Sequence, residues 1–372
     1  MRAGIFCNNA SSIKSARTEL IDLIKENGYE VFVGGIYDGT IHPFFEENNV
    51  TFIPLDASRG NTNPIKELKS IFNIAKQVKK YKLDSVLIYG VKNHPSMAIG
   101  AKLGKAKNIV CVVNGSGTLF TIQGLKGKLL RFISLPMMMI AYALSSCVSF
   151  QNSDDMKMFA RKHIVRSKKK VMVPAGSGVN LEAYPLKPLP KENKFLFLSR
   201  ITHTKGAFEY IKAAEKVKEI YPSAIFDIVG PLDNASKNEK DAAIKNMIEE
   251  YSQKGVVAYH GPTSDVASWL EKCRFFVYPS YFEGISRCSM QALSTGRPII
   301  TCNTPGCKET VIEGVNGFLV EKQDSDAIAE KMIWLIEHPE ETEKMAAESR
   351  KFAESSFDVN TVNNQIVGRL IK

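Results

Sequence analysis

The chain has 372 residues, a length that exceeds one ordinary hydrophobic core and predicts two domains. Hydrophobic residues make up 44% and charged residues 24% of the sequence, proportions that exclude a disordered or fibrous protein. The formal net charge is +10, and its distribution is uneven. Residues 1–185 hold 25 Lys and Arg against 13 Asp and Glu, a balance of +12, so the second half of the chain is close to neutral.

The basic excess of the first half has three interpretations: a solvated face, a membrane surface with anionic lipid, or nucleic acid. We do not expect nucleic acid as a partner. The uncharged stretch 132–153 is long enough to be considered as a membrane span, but Pro136 and the serines at 145, 146 and 149 interrupt it. A helix to about Ala143 followed by a buried strand explains this stretch better. Without a recognisable export signal or paired-cysteine motif, we expect a cytoplasmic protein. A position peripheral to the inner face of the cell membrane is the membrane-surface interpretation of the basic excess.

Short runs of β-branched and aromatic residues alternate with amphipathic segments along the chain, which predicts βα units on parallel sheets. The runs of the first half are RAGIFC, EVFVG, TFIPL, SVLIY, NIVCVV and KVMV, and those of the second half are KFLFLS, AIFDIVG, VVAYHG, FFVYPS, PIITC and GFLV. We therefore predict an α/β protein of two Rossmann-like, doubly wound domains facing a cleft, with ligands at the carboxyl ends of the strands.

Three prolines within residues 185–190 predict a stiff extended linker between the two series of strands. The expected division is residues 1–187 for the first domain and 188–355 for the second. Residues 356–372 are amphipathic and predict a helix that either closes the second domain or crosses back onto the first.

The strongest functional pattern follows the strand FFVYPS, in the segment YPSYFEGISRCSMQALSTGRP of residues 278–298. A strand ends at a proline, a turn with Glu283 and Gly284 follows, and a helix runs to Gly296 as its stop. Such a turn offers backbone N–H groups and a positive helix end to an anion, which suits a diphosphate. Glu283 can accept hydrogen bonds from two vicinal sugar hydroxyls, and Gln291 points deeper into the site.

A second element, LSRITHTKG of residues 198–206, also follows a strand directly. Positioned cations can stabilise negative charge on a ligand without a metal. Arg200 and Lys205 are the candidates for this role. In the first half, Asn114 and Gly115 lie in VVNGSGTLF after a strand, where bare backbone can approach a ligand.

These blocks, with TPGCKETV and GVNGFLV further on, resemble the family-4 glycosyltransferases of the GT-B fold, whose signature is Glu-x7-Glu. By this resemblance Glu283 contacts the donor sugar, Gly284, Ile285 and Ser286 approach the diphosphate, and Gln291 holds the ribose hydroxyls. The resemblance also implies that Arg200 and Lys205 are the paired cations, that the enzyme is retaining, and that no metal or cofactor is required.

The first-half blocks NHP, AKL, FQNSDD and PAGSGVN resemble a narrower branch that extends glycans on polyprenyl diphosphate, for capsule, O-antigen or protein glycosylation. The implied substrates are a nucleotide sugar carrying a hexose or N-acetylhexosamine, usually UDP-linked, and a polyprenyl-diphosphate-linked glycan acceptor. No residue distinguishes uridine from guanosine. Asn9, Ser11 and His94 join Asn114 and Gly115 as candidates for the acceptor side, and a capping or core role stays open for His94.

The sequence departs from the family in two places. Gln291 stands where the second acid is usual, and Asn114 stands where many members carry a histidine, so neither can supply a carboxylate or a base. These departures keep open a non-catalytic nucleotide-sugar-binding partner or scaffold of a glycan assembly system. Asp324 and Asp326 have the spacing of a metal clamp, but their place before a helix predicts an N-cap at Asp324 instead.

Overall fold

The fold is described from a computed structural model, in which the chain forms two compact units. The first unit comprises Met1–Ser177 and Asn360–Lys372, and the second comprises Gly178–Val359. The structure describes residues 1–9, 13, 17–36, 42–55, 64–115, 120, 124–167, 170–233 and 238–371.

The first unit is built on a parallel sheet with helices. Its strands are β1 Arg2–Asn9, β2 Glu30–Ile36, β3 Thr51–Pro54, β4 Ser85–Tyr89, β5 Asn108–Val113, β6 Cys147–Phe150 and β7 Val171–Met172. Its helices are α1 Thr18–Glu26, α2 His42–Glu47, α3 Pro64–Tyr81, α4 His94–Leu103, α5 Gly124–Leu144 and α6 Ser153–Arg161. Within the described residues the strand order is β3-β2-β1-β4-β5-β6-β7, so the order reverses between β1 and β4.

Apolar side chains cover both faces of this sheet in two clusters. Along β4, Val86 and Ile88 belong to one cluster and Leu87 and Tyr89 to the other, because successive side chains of a strand point to opposite faces. Helices α3, α4 and α5 bury residues in the first cluster, and α1 buries residues in the second. The central strand is buried along its whole length, which explains its uninterrupted apolar sequence.

The second unit repeats this architecture. Its strands are β8 Lys194–Leu198, β9 Ile225–Val229, β10 Ala258–Tyr259, β11 Phe275–Tyr278, β12 Ile299–Cys302 and β13 Gly317–Val320. Its helices are α7 Ala207–Ile220, α8 Glu239–Gln253, α9 Val266–Lys272, α10 Arg287–Ser294, α11 Ser325–Glu337 and α12 Pro339–Ser356. The described strands pair in parallel in the order β10-β9-β8-β11-β12-β13. Each run predicted as a strand contains one, and the predicted doubly wound α/β fold is confirmed.

The proline-rich segment 185–190 is held against the second unit. Arg297 is fully buried, and its guanidinium donates to the carbonyl oxygens of Lys187 at 3.0 Å and Pro188 at 3.1 Å. The compact second unit therefore includes this segment and begins after Ser177, earlier than the division expected at residue 187. The chemical reason is that a buried guanidinium needs acceptors, and the extended backbone supplies them.

The last helix, α13 Val359–Leu370, packs on the first unit. Val362, Ile366 and Leu370 are buried in the same cluster as α1, and Asn108 donates to the carbonyl oxygen of Leu370 at 3.2 Å. Of the two placements left open by the sequence, the helix adopts the return to the first unit.

Helix α5 and strand β6 occupy the uncharged stretch of the first unit. Pro136 lies inside α5, which ends at Leu144 before the buried strand β6, as predicted. Among the described residues, no helix is both long and apolar enough to cross a membrane.

Candidate active site

The sheet of the second unit reverses its strand order between the neighbours β8 and β11. In doubly wound sheets, ligands bind at this switch point, outside the carboxyl ends of the strands. Lys205 follows β8 and Glu283 follows β11, so the topology brings two predicted site residues to one edge of the sheet. Their side chains form an ion pair in which Lys205 is 16% and Glu283 18% exposed.

Glu283 is held by several donors at one carboxylate oxygen. Its Oε1 accepts hydrogen bonds from Lys205 Nζ, from the Tyr278 hydroxyl at 2.5 Å and from Ser280 Oγ at 3.0 Å. Burial, and after it the charge of Glu283, raise the pKa of Tyr278 well above its usual value, so this hydroxyl stays protonated. These hydrogen bonds fix the Glu283 carboxylate next to the Lys205 ammonium. Charged groups that are fixed in advance can stabilise charge that develops on a bound ligand.

Two glycines allow the loops that carry this ion pair to approach closely. Gly206 has φ +79°, and a Cβ at this position would clash with the carbonyl oxygen of Pro279. Gly306 has φ +82°, and a Cβ there would clash with the carbonyl oxygen of Glu283. Both positions combine a left-handed backbone with close backbone contact, so both require glycine.

Helix α10 begins and ends where the sequence predicts. The Ser286 hydroxyl caps it by accepting from the N–H of Ser289 at 3.2 Å. At its other end Gly296 has φ +79° and donates to Leu293 O at 2.9 Å, while Arg297 donates to Ala292 O at 2.9 Å. These two bonds form a Schellman motif.

The turn before α10 differs in one respect from the predicted diphosphate turn. The backbone N–H of Ser286 donates to the carbonyl oxygen of Gly306 at 2.9 Å. This N–H is therefore already paired within the unit, because the Gly306 loop packs directly on the turn. Gly284 is buried in the same turn and Ile285 is half-buried.

Gln291 lies on α10 and is 5% exposed. Its Nε2 donates to the hydroxyl of Tyr184 at 2.7 Å, and the Tyr184 carbonyl oxygen accepts from Ser294 Oγ at 2.6 Å. The bond to Tyr184 fixes the orientation of the Gln291 amide. Sequence reasoning missed Tyr184, because nothing local marks a residue 107 positions away as a partner.

The loop that carries Lys205 is attached to helix α8. The backbone N–H of His203 donates to Asp241 Oδ1 at 2.8 Å, and His203 Nδ1 lies 2.9 Å from the same oxygen. Arg200, earlier in this loop, is exposed. Asp241 is a second residue that the sequence did not reveal, and its contact shows that the loop conformation depends on a neighbouring helix.

The predicted acceptor-side residues follow the strands of the first unit. Asn114 is exposed directly after β5, and Gly115 has φ +94°. Asn9 is the last residue of β1, which neighbours β4, and β4 neighbours β5 in turn. The side chain of Asn9 and the whole of Ser11 lie outside the described part of the structure.

His94 is a core residue, which corrects its placement among the cleft candidates. It begins α4 with no exposed surface, and its Nδ1 lies 2.9 Å from the Tyr142 hydroxyl. Burial lowers the pKa of His94 to about 4, so the ring is neutral at neutral pH. A side chain enclosed by the first unit cannot touch an acceptor without a local opening.

The Asp324 carboxylate caps α11, as predicted. It accepts a hydrogen bond from the N–H of Ala327 at 2.9 Å, and Asp326 pairs with Lys216. Within the described residues, no group of three or more His, Cys, Asp or Glu is placed to hold a metal ion.

Comparison with known proteins identifies the domain that carries this site. Residues 185–352 match the family described as glycosyl transferases group 1, a span that contains every predicted donor-side residue. The chain is 26% identical over 351 residues to the N,N'-diacetylbacillosaminyl-diphospho-undecaprenol alpha-1,3-N-acetylgalactosaminyltransferase of Campylobacter jejuni, covering 91% of this chain and 90% of that protein. It is also 26% identical, over 73% of its length and 71% of the relative, to the UDP-Gal:alpha-D-GlcNAc-diphosphoundecaprenol alpha-1,3-galactosyltransferase of Escherichia coli.

Solved structures share the whole architecture. The crystal structure of Anabaena HepE in complex with UDP aligns over 100% of this chain and 99% of that protein, with a TM-score of 0.79 and 18% sequence identity. A likeness at this identity establishes the fold, which is the predicted GT-B fold. The match of residues 185–352 to this family and the two named relatives therefore identify the chain as a glycosyltransferase.

Proposed function

We propose that the chain is a retaining enzyme that moves a hexose or N-acetylhexosamine from a UDP-linked sugar to a polyprenyl-diphosphate-linked saccharide. In the proposed step the bond between the anomeric carbon and the diphosphate oxygen breaks. The acceptor hydroxyl oxygen forms the new bond on the same face of the sugar, and the departing phosphate oxygen takes the acceptor proton. This route requires no protein base, which accommodates Asn114, since an amide cannot act as one.

The observation that carries the proposal is the ion pair of Lys205 and Glu283 at the strand switch point. An ammonium has three N–H donors, so Lys205 can hold Glu283 and still donate to a diphosphate oxygen. Glu283 is then placed to accept from donor hydroxyls while the anomeric carbon gains positive charge. Arg200, exposed after the same strand as Lys205, supplies a second cation.

The named relatives support the choice of substrates. Two of them are named for sugar transfer to undecaprenyl-diphosphate-linked acceptors, and a structural neighbour holds UDP. A lipid-linked acceptor places the reaction at a membrane, and we propose peripheral contact at the cytoplasmic face through the basic first unit. Anionic lipid attracts such a surface.

The decisive experiment is turnover with a panel of UDP- and GDP-sugars and a polyprenyl-diphosphate-linked saccharide. Nucleoside diphosphate released only when donor and acceptor are both present, together with an α-linked product from an α-linked donor, is the expected result. An inverted anomer would refute the retaining mechanism. Selective use of a GDP-sugar would refute the UDP assignment.

Gln291 stands where the family resemblance implies an acid, and the same panel tests whether transfer survives this change. Calorimetric binding of the UDP-sugar without any acceptor-dependent release of UDP would contradict the proposed transfer.

The proposal also includes metal independence, because Arg200 and Lys205 can supply the positive charge that the leaving diphosphate needs. We expect turnover to be unchanged in EDTA. Activity that EDTA abolishes and that Mg²⁺ or Mn²⁺ restores would refute this part of the proposal.

A further inference from the structure

Helix α5 exposes an apolar stripe to solvent. Leu125 is 84% exposed, Phe132 78%, Ile133 44% and Ile140 52%. At 100° per residue these side chains and Pro136 fall within about 100° of one another around the helix axis. The core-facing residues of α5 occupy the opposite side; they are Met138, Ala141 and Tyr142. The helix is therefore apolar on two sides, and only one of them is used by the fold.

Helix α3 has the same unusual property. Ile65 is 67% exposed, Leu68 54% and Phe72 61%, and their i, i+3, i+7 spacing places them on one face. Ile74 and Val78 face the core from another side of the helix. Each of the two helices thus presents a well-exposed phenylalanine within its apolar stripe.

The two stripes face the same way. Helices α3, α4 and α5 bury side chains in one cluster on one face of the sheet, so their outer sides all point away from that face. We call the exposed apolar residues of α3 and α5 together the α3/α5 face. Each stripe groups several exposed apolar side chains on one helix face, and grouped exposure of this kind marks an interaction site more often than single exposed side chains do.

The charge around the α3/α5 face is almost entirely positive. Residues 85–153 contain no Asp or Glu, and α3 contains a single acid, Glu67. Burial raises the pKa of the Glu67 carboxyl. The exposed basic side chains beside the stripes are Lys66, Lys69, Lys76, Lys79, Lys80 and Lys128.

We propose that the α3/α5 face inserts its apolar stripes into the interface of a bilayer rich in anionic lipid. Apolar side chains flanked by lysines are the pattern of helices that lie in the headgroup region, where apolar burial and attraction to anionic headgroups add together. A second copy of the chain fits poorly, because a two-fold contact through this face would place lysines against lysines. The inference deepens the proposed membrane contact by assigning it to particular side chains, and it is testable without substrates.

The test is co-sedimentation of the full chain with vesicles of phosphatidylcholine, with and without phosphatidylglycerol. We expect binding to the anionic vesicles that weakens as salt is raised, and much weaker binding to phosphatidylcholine alone. The double variant F72E/F132E should lower the partition coefficient roughly tenfold or more. The variant I220E is the matched control, because Ile220 is 60% exposed on α7 of the second unit, and it should bind as the unchanged chain does.

Three results would overturn the inference. They are equal partitioning of F72E/F132E and the unchanged chain, an equal loss in I220E, and a dimer in sedimentation equilibrium that F72E/F132E dissolves while vesicles are not bound. Far-ultraviolet circular dichroism and urea unfolding of the double variant confirm that its first unit is folded. Transfer to a water-soluble short-prenyl acceptor tests the proposed reaction separately, so a failure of that reaction is distinguishable from a failure of membrane docking.

Discussion

At the scale of single residues, the ion pair of Lys205 with Glu283 places a fixed anion and a fixed cation next to each other in the candidate site. The Glu283 carboxylate is buried to more than four-fifths and accepts from the Tyr278 and Ser280 hydroxyls as well as from Lys205. A carboxylate fixed in this way does not need to reorganise when charge develops nearby. We therefore expect it to stabilise the transition state more than the bound substrate.

We predict that Glu283→Gln lowers kcat by about 10²-fold, because the amide keeps the size of the side chain but loses its charge. Binding of UDP should stay nearly unchanged, since the diphosphate is expected to contact the cations. Turnover and calorimetry on the same preparation measure the two effects. Glu330→Gln is the matched control, because Glu330 is exposed on α11. Near-normal turnover of the Glu283 variant would remove this residue from the mechanism.

A second prediction concerns Gln291 and its partner Tyr184. If the amide holds the ribose, Gln291→Ala weakens UDP binding by about 1–2 kcal/mol, whereas Gln291→Glu preserves or strengthens it. Tyr184→Phe should weaken UDP binding by a smaller amount, because it removes the hydrogen bond that orients the amide. Calorimetric titration with UDP measures all three. Unchanged affinity in every variant would mean that Gln291 serves only the packing of α10.

At the scale of elements, the Gly306 loop packs directly on the Glu283 turn. Gly306 and Gly314 both have positive φ, but a Cβ would clash with the Glu283 backbone at Gly306 and would meet open space at Gly314. Either change to alanine costs roughly 1–2 kcal/mol of backbone strain. Both alanine variants are therefore strained, but only the variant at Gly306 should also displace the Glu283 turn.

We predict that Gly306→Ala lowers kcat by up to about 10²-fold, because a displacement of the Glu283 turn by even 1 Å misplaces the carboxylate. Gly314→Ala should lose a similar amount of unfolding free energy but retain normal turnover. Steady-state kinetics and urea unfolding of both variants provide the test. Equal kinetic losses in the two variants would contradict the idea that the Gly306 loop positions Glu283.

At the scale of the whole molecule, α13 stabilises the first unit although it follows the second unit in the chain. Ile366 is 3% exposed in the core of the first unit. Ile366→Ala should lower the unfolding free energy of that unit by about 2–5 kcal/mol, the usual cost of such a cavity. Gln365→Ala, an exposed change on the same helix, should have an effect within about 0.5 kcal/mol.

The two tryptophans make this prediction measurable for each unit. Trp269 and Trp334 both lie in the second unit, so tryptophan fluorescence follows its unfolding alone, whereas far-ultraviolet circular dichroism follows both units. In Ile366→Ala the dichroism transition should move to lower urea and the fluorescence transition should not. An equal movement of both would show that α13 also stabilises the second unit.

Local chemistry in the sequence predicted the secondary structure and the termini of the helices. Each strand was marked by a run of β-branched and aromatic residues, and the stop of α10 was marked by Gly296. The cap of α11 at Asp324 was predicted for the same reason, because a capping carboxylate contacts an N–H only three residues away. Signals of this kind need no knowledge of the fold. The sequence by itself therefore determined the α/β class and the place of the Glu283 turn.

Only the tertiary structure decided which of these residues meet. Lys205 and Glu283 are 78 positions apart and form a pair because β8 and β11 are neighbours in the sheet. Tyr184 reaches Gln291 for a similar reason. The sequence left the cleft, capping and core roles of His94 open, because a histidine that begins a helix faces solvent or core depending on what packs over it. The structure decides for burial against Tyr142. The physical reason is that propensities and caps act within a few residues, whereas these contacts depend on strand order and on which helix covers which face.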